Sequence, residues 1–173
     1  MMNMLPYLLI AILSLAFLTC AENNEPTMSS VDSVNWEERK VSLEDSDSLV
    51  RGSSYLSVYS EIYQLSEQKT YNLTATVSMR NISSTDSVFI LHADYYDTQG
   101  KLIRTYLNHP VYVQPLETIE IVIDESDQSG GTGANFIVEW AMPSQGHEPL
   151  LEAVMISTTG QQGLSFTTQG VKR

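Results

Sequence analysis

The chain predicts an all-β fold, an antiparallel immunoglobulin-like β-sandwich of seven to nine short strands, and three observations point there. Short alternating runs of apolar and polar residues recur from residue 52 onward, which is the period of a half-buried strand. Clusters of Gly, Pro, Asn and Ser separate these runs, and no stretch after residue 52 repeats at helical spacing. Serine, threonine, glycine and nine tyrosines are plentiful, a composition that favours strands over helices. A closed β-barrel is the alternative architecture.

Each strand follows from its own pattern. Tyr55, Ser57 and Tyr59 alternate with Leu56 and Val58 as a first strand. Residues 71–80 form one continuous strand in which Tyr71, Leu73, Ala75, Val77 and Met79 face inward. A polar turn at 81–87 leads to a strand at 88–96, with Phe89, Leu91, Ala93 and Tyr95 as its buried side. Asp97-Thr98-Gln99-Gly100-Lys101 is a hairpin turn, and 102–107 is its return strand. Pro110 and Pro115 bracket a short edge piece, Val111-Tyr112-Val113, where proline costs least. Ile119, Ile121 and Ile123 share one face of the next strand. The cluster Ser129-Gly130-Gly131-Thr132-Gly133 then enters a strand that points Ala134, Phe136, Val138 and Trp140 into the core. A loop at 143–149 and strands at 150–158 and 164–166 complete the series.

Residues 52–173 thus form one domain, large enough to bury a real core. Before it, residues 5–18 are almost wholly apolar and end at Thr19-Cys20. That run is shorter than a membrane span and fits the apolar region of an export signal. Cys20 is the only cysteine, so neither an internal disulfide nor a cysteine zinc site can form. Its place at the end of the run resembles a bacterial lipoprotein signal, in which residues 1–20 carry the address and Cys20 is lipidated. The protein is then exported and membrane-anchored, in the outer membrane if the cell is Gram-negative. Cleavage at Ala21, releasing a soluble periplasmic or secreted protein, and an uncleaved membrane anchor are the alternatives.

Residues 21–51 are acidic and serine-rich and read as a disordered linker. Trp36 interrupts it, either as a short turn packing on the domain or as a partner-docking residue. The formal net charge is −12, and the nine lysines and arginines never cluster. A nucleic-acid partner is excluded because no basic stripe exists to displace counterions from phosphates.

The runs Tyr95-Tyr96-Asp97-Thr98-Gln99-Gly100-Lys101-Leu102, Ser129–Trp140 and Glu152-Ala153-Val154-Met155-Ile156, with Gly160–Phe166, resemble a bacterial family known as domain of unknown function 3124. The resemblance covers most of the chain after Gly52. It implies an exported or lipid-anchored bacterial protein and implies no reaction.

Few residues offer chemistry. His92 and Asp94 share a strand face beside Tyr96, and His109 is a third candidate for a metal or catalytic site; two ligands do not close a metal site. Glu125-Ser126-Asp127-Gln128-Ser129-Gly130 imitates a calcium loop, but Phe136 stands where a bidentate Glu is required. A phosphate cradle at the glycines needs a following helix and a nearby cation, and has neither. Asn72-Leu73-Thr74 and Asn81-Ile82-Ser83 fit glycosylation acceptors and read more simply as outward polar residues. No cofactor is expected. The leading expectation is a non-catalytic, lipid-anchored envelope module that binds a protein or glycan through loops at one end of the sandwich. The candidate loops are 126–133, with Ser126, Asp127, Gly130, Gly131 and Gly133, and 143–149, with His147. An envelope enzyme using His92, Asp94 or His109, and a structural subunit of an envelope complex, are the other two readings.

Overall fold

The computed structural model describes residues 34–43, 48–158 and 163–173; Cys20 and the export segment lie outside them. The fold is an antiparallel β-sandwich in which no described sheet closes into a barrel. Its larger sheet runs β12 (Val171–Lys172), β1 (Leu49–Val58), β9 (Ala134–Pro143), β5 (Val88–Tyr96) and β6 (Leu102–Leu107), with β7 (Val111–Val113) also paired to β5. The facing sheet runs β11 (Leu164–Gln169), β10 (Leu150–Ser157), β4 (Thr74–Arg80) and β8 (Thr118–Ile123). A separate hairpin joins β2 (Glu61–Gln64) to β3 (Ser66–Asn72). Among the described residues, twelve strands therefore stand against the seven to nine read from sequence; the hairpin and the two-residue β12 account for most of the excess.

Strand β9 is the centre of the core. It lies between β1 and β5, and its alternation is carried through, with Ala134, Phe136, Val138 and Trp140 all buried. Burying rings of this size contributes roughly 2–3 kcal/mol each. The Trp140 indole N–H, which needs a partner once buried, donates to Ser54 Oγ at 3.0 Å. Opposite it, Ala75, Val77 and Met79 of β4 and Leu151, Ala153 and Met155 of β10 close the same core.

Three details differ from the expected pattern. The run 71–80 is not one strand: it breaks at Leu73, which is buried and whose amide donates to Ser60 O at 2.8 Å. Residues before the break belong to the hairpin, and those after it to the smaller sheet. In β5 the register shifts between Ile90 and His92. An extra residue exchanges the two faces of a strand, so Val88 and Ile90 are buried while Phe89 and Leu91 are only half-buried. Finally, Asn81 does not point outward. It is 2 % exposed, and its amide donates to the carbonyls of Asp86, Val113 and Gln114 at 2.8, 3.0 and 3.0 Å while its Oδ1 accepts from Ser83 N at 2.9 Å. That amide is fully engaged and unavailable as a glycan acceptor.

Residues 34–43, within the stretch read as a linker, lie against the sandwich as a clasp. Trp36–Arg39 form a turn, and Val34 and Trp36 pack against the core, which is the packing reading of Trp36. Backbone bonds tie the clasp to the edge of β7: Val41 N donates to Pro110 O at 3.0 Å and Tyr112 N to Arg39 O at 3.1 Å. Arg39 reaches Glu117 at 2.7 Å, and Lys40 bridges Val111. An edge strand leaves unpaired backbone groups that invite foreign strands, and here the chain covers them itself.

Candidate functional site

The glycine loop is held by side chains that turn their oxygen atoms back on the loop itself. Asp124 Oδ1 accepts from Ser126 N at 2.8 Å and Ser126 Oγ at 2.7 Å. Asp127 Oδ1 accepts from Ser129 N at 3.1 Å and Ser129 Oγ at 2.5 Å, and its Oδ2 meets Arg104 at 3.2 Å. Burial alone would raise the Asp127 carboxyl, but the Ser129 hydrogen bonds and the Arg104 charge outweigh it and hold the group below its ordinary value. Both carboxylates thus accept from protein donors.

Two neighbours fasten the loop to the sandwich. Thr98, in the β5–β6 turn, donates to Gly130 O from its amide at 3.1 Å and its hydroxyl at 3.0 Å, and Thr98 Oγ1 accepts from Gly133 N at 2.9 Å. Ser60, fully buried at the end of β1, donates to Gly131 O from amide and hydroxyl, both at 3.3 Å. This closeness explains the glycines. Gly131 has φ +71 and would set a Cβ 2.8 Å from Thr98 Oγ1, a conformation and a space that suit only glycine. A Cβ on Gly130 would fall on the Tyr95 hydroxyl. Tyr95 stacks on Phe136 at 4.9 Å, and its hydroxyl, buried beside Ser60, forms no hydrogen bond. Burial raises its pKa, although the nearby Ser60 hydroxyl opposes the rise.

The β2–β3 hairpin stands across from this loop. Its Ile62 packs against the core, and strand alternation turns the cross-strand pair Tyr63–Thr70, with Glu61, to the opposite face. Between that face and the loop lies an open cleft of about 440 Å³. Glu61, Tyr63, Glu67 and Thr70 form one wall; Thr98, Gln99 and residues 128–132 form the other. No lysine, arginine or histidine lines it. Tyr63 remains 60 % exposed.

Of the residues expected at a binding site, Gly130 and Gly131 line the cleft. Gly133 and Asp127 support it from behind, and Ser126 is turned onto Asp124. His147 does not join them. The loop 143–149 follows β9 whereas the glycine loop precedes it, so the two sit at opposite ends of a ten-residue strand, roughly 33 Å apart. The hairpin wall is the part that the sequence reading passed over; the alternation of Glu61-Ile62-Tyr63 was its only signal.

His92 and Asp94 do meet on the outer face of the larger sheet, with Nε2 and Oδ1 3.0 Å apart. Thr105 Oγ1 donates to the same oxygen at 2.6 Å, and the Tyr96 hydroxyl donates to Oδ2 at 3.3 Å. Both Asp94 oxygens are therefore engaged. His109 belongs to another neighbourhood, with Nδ1 3.0 Å from Asn108 Oδ1 and Nε2 3.9 Å from Glu37. Among the described residues no three His, Cys, Asp or Glu side chains gather as metal ligands would.

The fold and cleft define an all-β sandwich carrying a polar groove at one end. Residues 51–172 match the family described as protein of unknown function (DUF3124), and the chain belongs to that family. No curated protein matches the chain. A solved structure, that of Thermotoga maritima 1070, is similar with a TM-score of 0.44 and 9 % identity, covering 69 % of this chain and 92 % of that one.

Proposed function

We propose that this protein is an exported, lipid-anchored module of the bacterial cell envelope that binds an envelope protein or glycan, without catalysis, in the cleft between the hairpin and the glycine loop. The cleft itself carries the reading: a hairpin packed on the core through Ile62 holds Tyr63 and two carboxylates across from a loop held by Thr98 and Ser60. Binding residues concentrate on loops braced by a rigid scaffold, and ligand sites are concave. The anchor reading rests on the apolar run that ends at Cys20. The clasp also supports it, because it fastens the entering chain along β7, in the half of the sandwich remote from the cleft. Residues 21–33 can span no more than about 45 Å fully extended, so a lipid on Cys20 keeps the domain close to the membrane surface.

A photo-crosslinking amino acid at Gln99 of the full chain, expressed in its own cell envelope, tests the reading. The expected result is one dominant adduct from Gln99 and none from the same amino acid at His147. In the same cells Cys20→Ala releases the protein from the membrane fraction. Equal or absent adducts from both positions would reject the cleft, and unchanged membrane association would reject the anchor.

A further inference from the structure

The cleft has a lining that selects among ligand classes. Glu61 and Glu67 place two carboxylates in it with no cation among its lining residues, and the chain as a whole carries −12. Anionic ligands such as uronates and phosphates are repelled. A purely cationic ligand is also a poor match. It offers donors only, whereas Thr70, Gln99, Gln128 and Thr132 bring donors as well as acceptors to the walls. Those donors need acceptors on the ligand, or desolvating them costs free energy. Hydroxyl groups both donate and accept, and a carboxylate takes a hydroxyl proton in a charge-assisted bond.

The remaining element is Tyr63. Its ring lies on the wall and is mostly uncovered, and its cross-strand partner is Thr70, so nothing aromatic or apolar pairs with it across the hairpin. A flat ring beside hydrogen-bonding groups suits a ligand with an apolar face and a polar rim, which is what the carbon-bound hydrogens and the hydroxyls of a pyranose present. We propose that the cleft binds an uncharged saccharide, with Tyr63 as the stacking platform and Glu61 and Glu67 as acceptors for sugar hydroxyls. This rests on the reading that the cleft is the binding site.

The test is titration calorimetry of the full chain in detergent against neutral oligosaccharides built from α- and β-linked glucose, N-acetylglucosamine, mannose, galactose and xylose, with a hexauronate and hexalysine alongside. At least one neutral oligosaccharide binds, and its Kd is the same at 20 and 500 mM salt, because no ligand charge is there to be screened. Tyr63→Ala weakens it about tenfold, the loss of one stacked ring, while Tyr63→Phe stays within about threefold. Circular dichroism confirms that the variants fold, as expected at so exposed a position. Binding of hexalysine alone, salt-sensitive and lost in Glu61→Gln, would overturn the saccharide while leaving the cleft as a binding site. Binding of no probe, or saccharide binding untouched by Tyr63→Ala, would overturn the inference; the Gln99 adduct then tells whether the cleft reading falls with it.

Discussion

The two ends of the sandwich solve the same problem in opposite ways. At the end remote from the cleft, the turn 81–87 and the loop 114–117 are tied together by one buried side chain, Asn81, and the clasp covers the edge of β7. At the glycine end, bare backbone packs against side chains: Gly130 and Gly131 lie directly on the side chains of Tyr95 and Thr98, and a two-stranded hairpin projects beyond the core. A hairpin of that size is marginal by itself in water. The first end is closed by buried hydrogen bonds that stabilise, and the second is left open with polar groups and an uncovered Tyr63. The difference teaches where to look for function: among the described residues, the end that gives up burial carries the polar cleft.

If that contrast is right, the largest effect belongs to the closed end. Asn81→Ala strands three backbone carbonyls and one amide that Asn81 now serves. Two of those bonds, to Val113 O and from Ser83 N, are buried, and unsatisfied buried groups cost about 1–3 kcal/mol each, so a loss of about 2–5 kcal/mol in urea unfolding is expected. A loss under 1 kcal/mol would show that water enters this end and that it is not closed.

Next comes the floor of the cleft. Gly130→Ala forces a methyl group onto the Tyr95 hydroxyl, an overpacking that costs about 1–3 kcal/mol. Removing the hydroxyl with Tyr95→Phe restores part of that loss, because the buried hydroxyl has no hydrogen bond to give up. Additive losses in the double variant would mean that the two groups do not touch.

The smallest effect is acid loosening of the clasp. The hydrogen bond from Arg39 holds the Glu117 carboxyl below its ordinary 4.5. A carboxyl depressed in the folded state contributes stability above that ordinary value and loses it as pH falls through the depressed one. Both side chains are about a quarter exposed, so the pair is worth less than about 1 kcal/mol. Thermal melts of wild type and Glu117→Gln should differ at pH 6 and converge well below pH 4.5. No gap at either pH would assign the clasp to Trp36 and backbone bonds alone.

The strands were legible wherever apolar and polar residues alternate: β6, β7 and β9 and the inward rows of β4 and β8 fall where the pattern puts them. The bulge in β5 was not, because Phe89-Ile90-Leu91 is apolar at every position and so carries no phase. The hairpin was hidden for a different reason. Its tip is Leu65 at φ +62, a left-handed conformation that sequence reading looks for at Gly or Asn. Its second strand also runs on into Leu73 and β4 with no glycine or proline at the break, and Asn72 fits the alternation as an outward polar residue. With the hairpin unseen, one wall of the cleft was unseen, and the loop 143–149 stood in for it. Asn81 misled similarly, since a polar residue in a polar turn gives no sign that three carbonyls converge on it.

By itself the sequence determined the fold class, the inward face of β9, the net charge of −12, and the family to which it belongs. Those depend on periodicity, composition and total charge, which are sums along the chain. Only the tertiary structure decided that Tyr63 faces Thr98, that His147 lies at the far end, and that residues 34–43 return to cover β7. Each of these joins segments distant in sequence through strand register and burial, and such pairings are settled by how the sheets stack rather than by any local run.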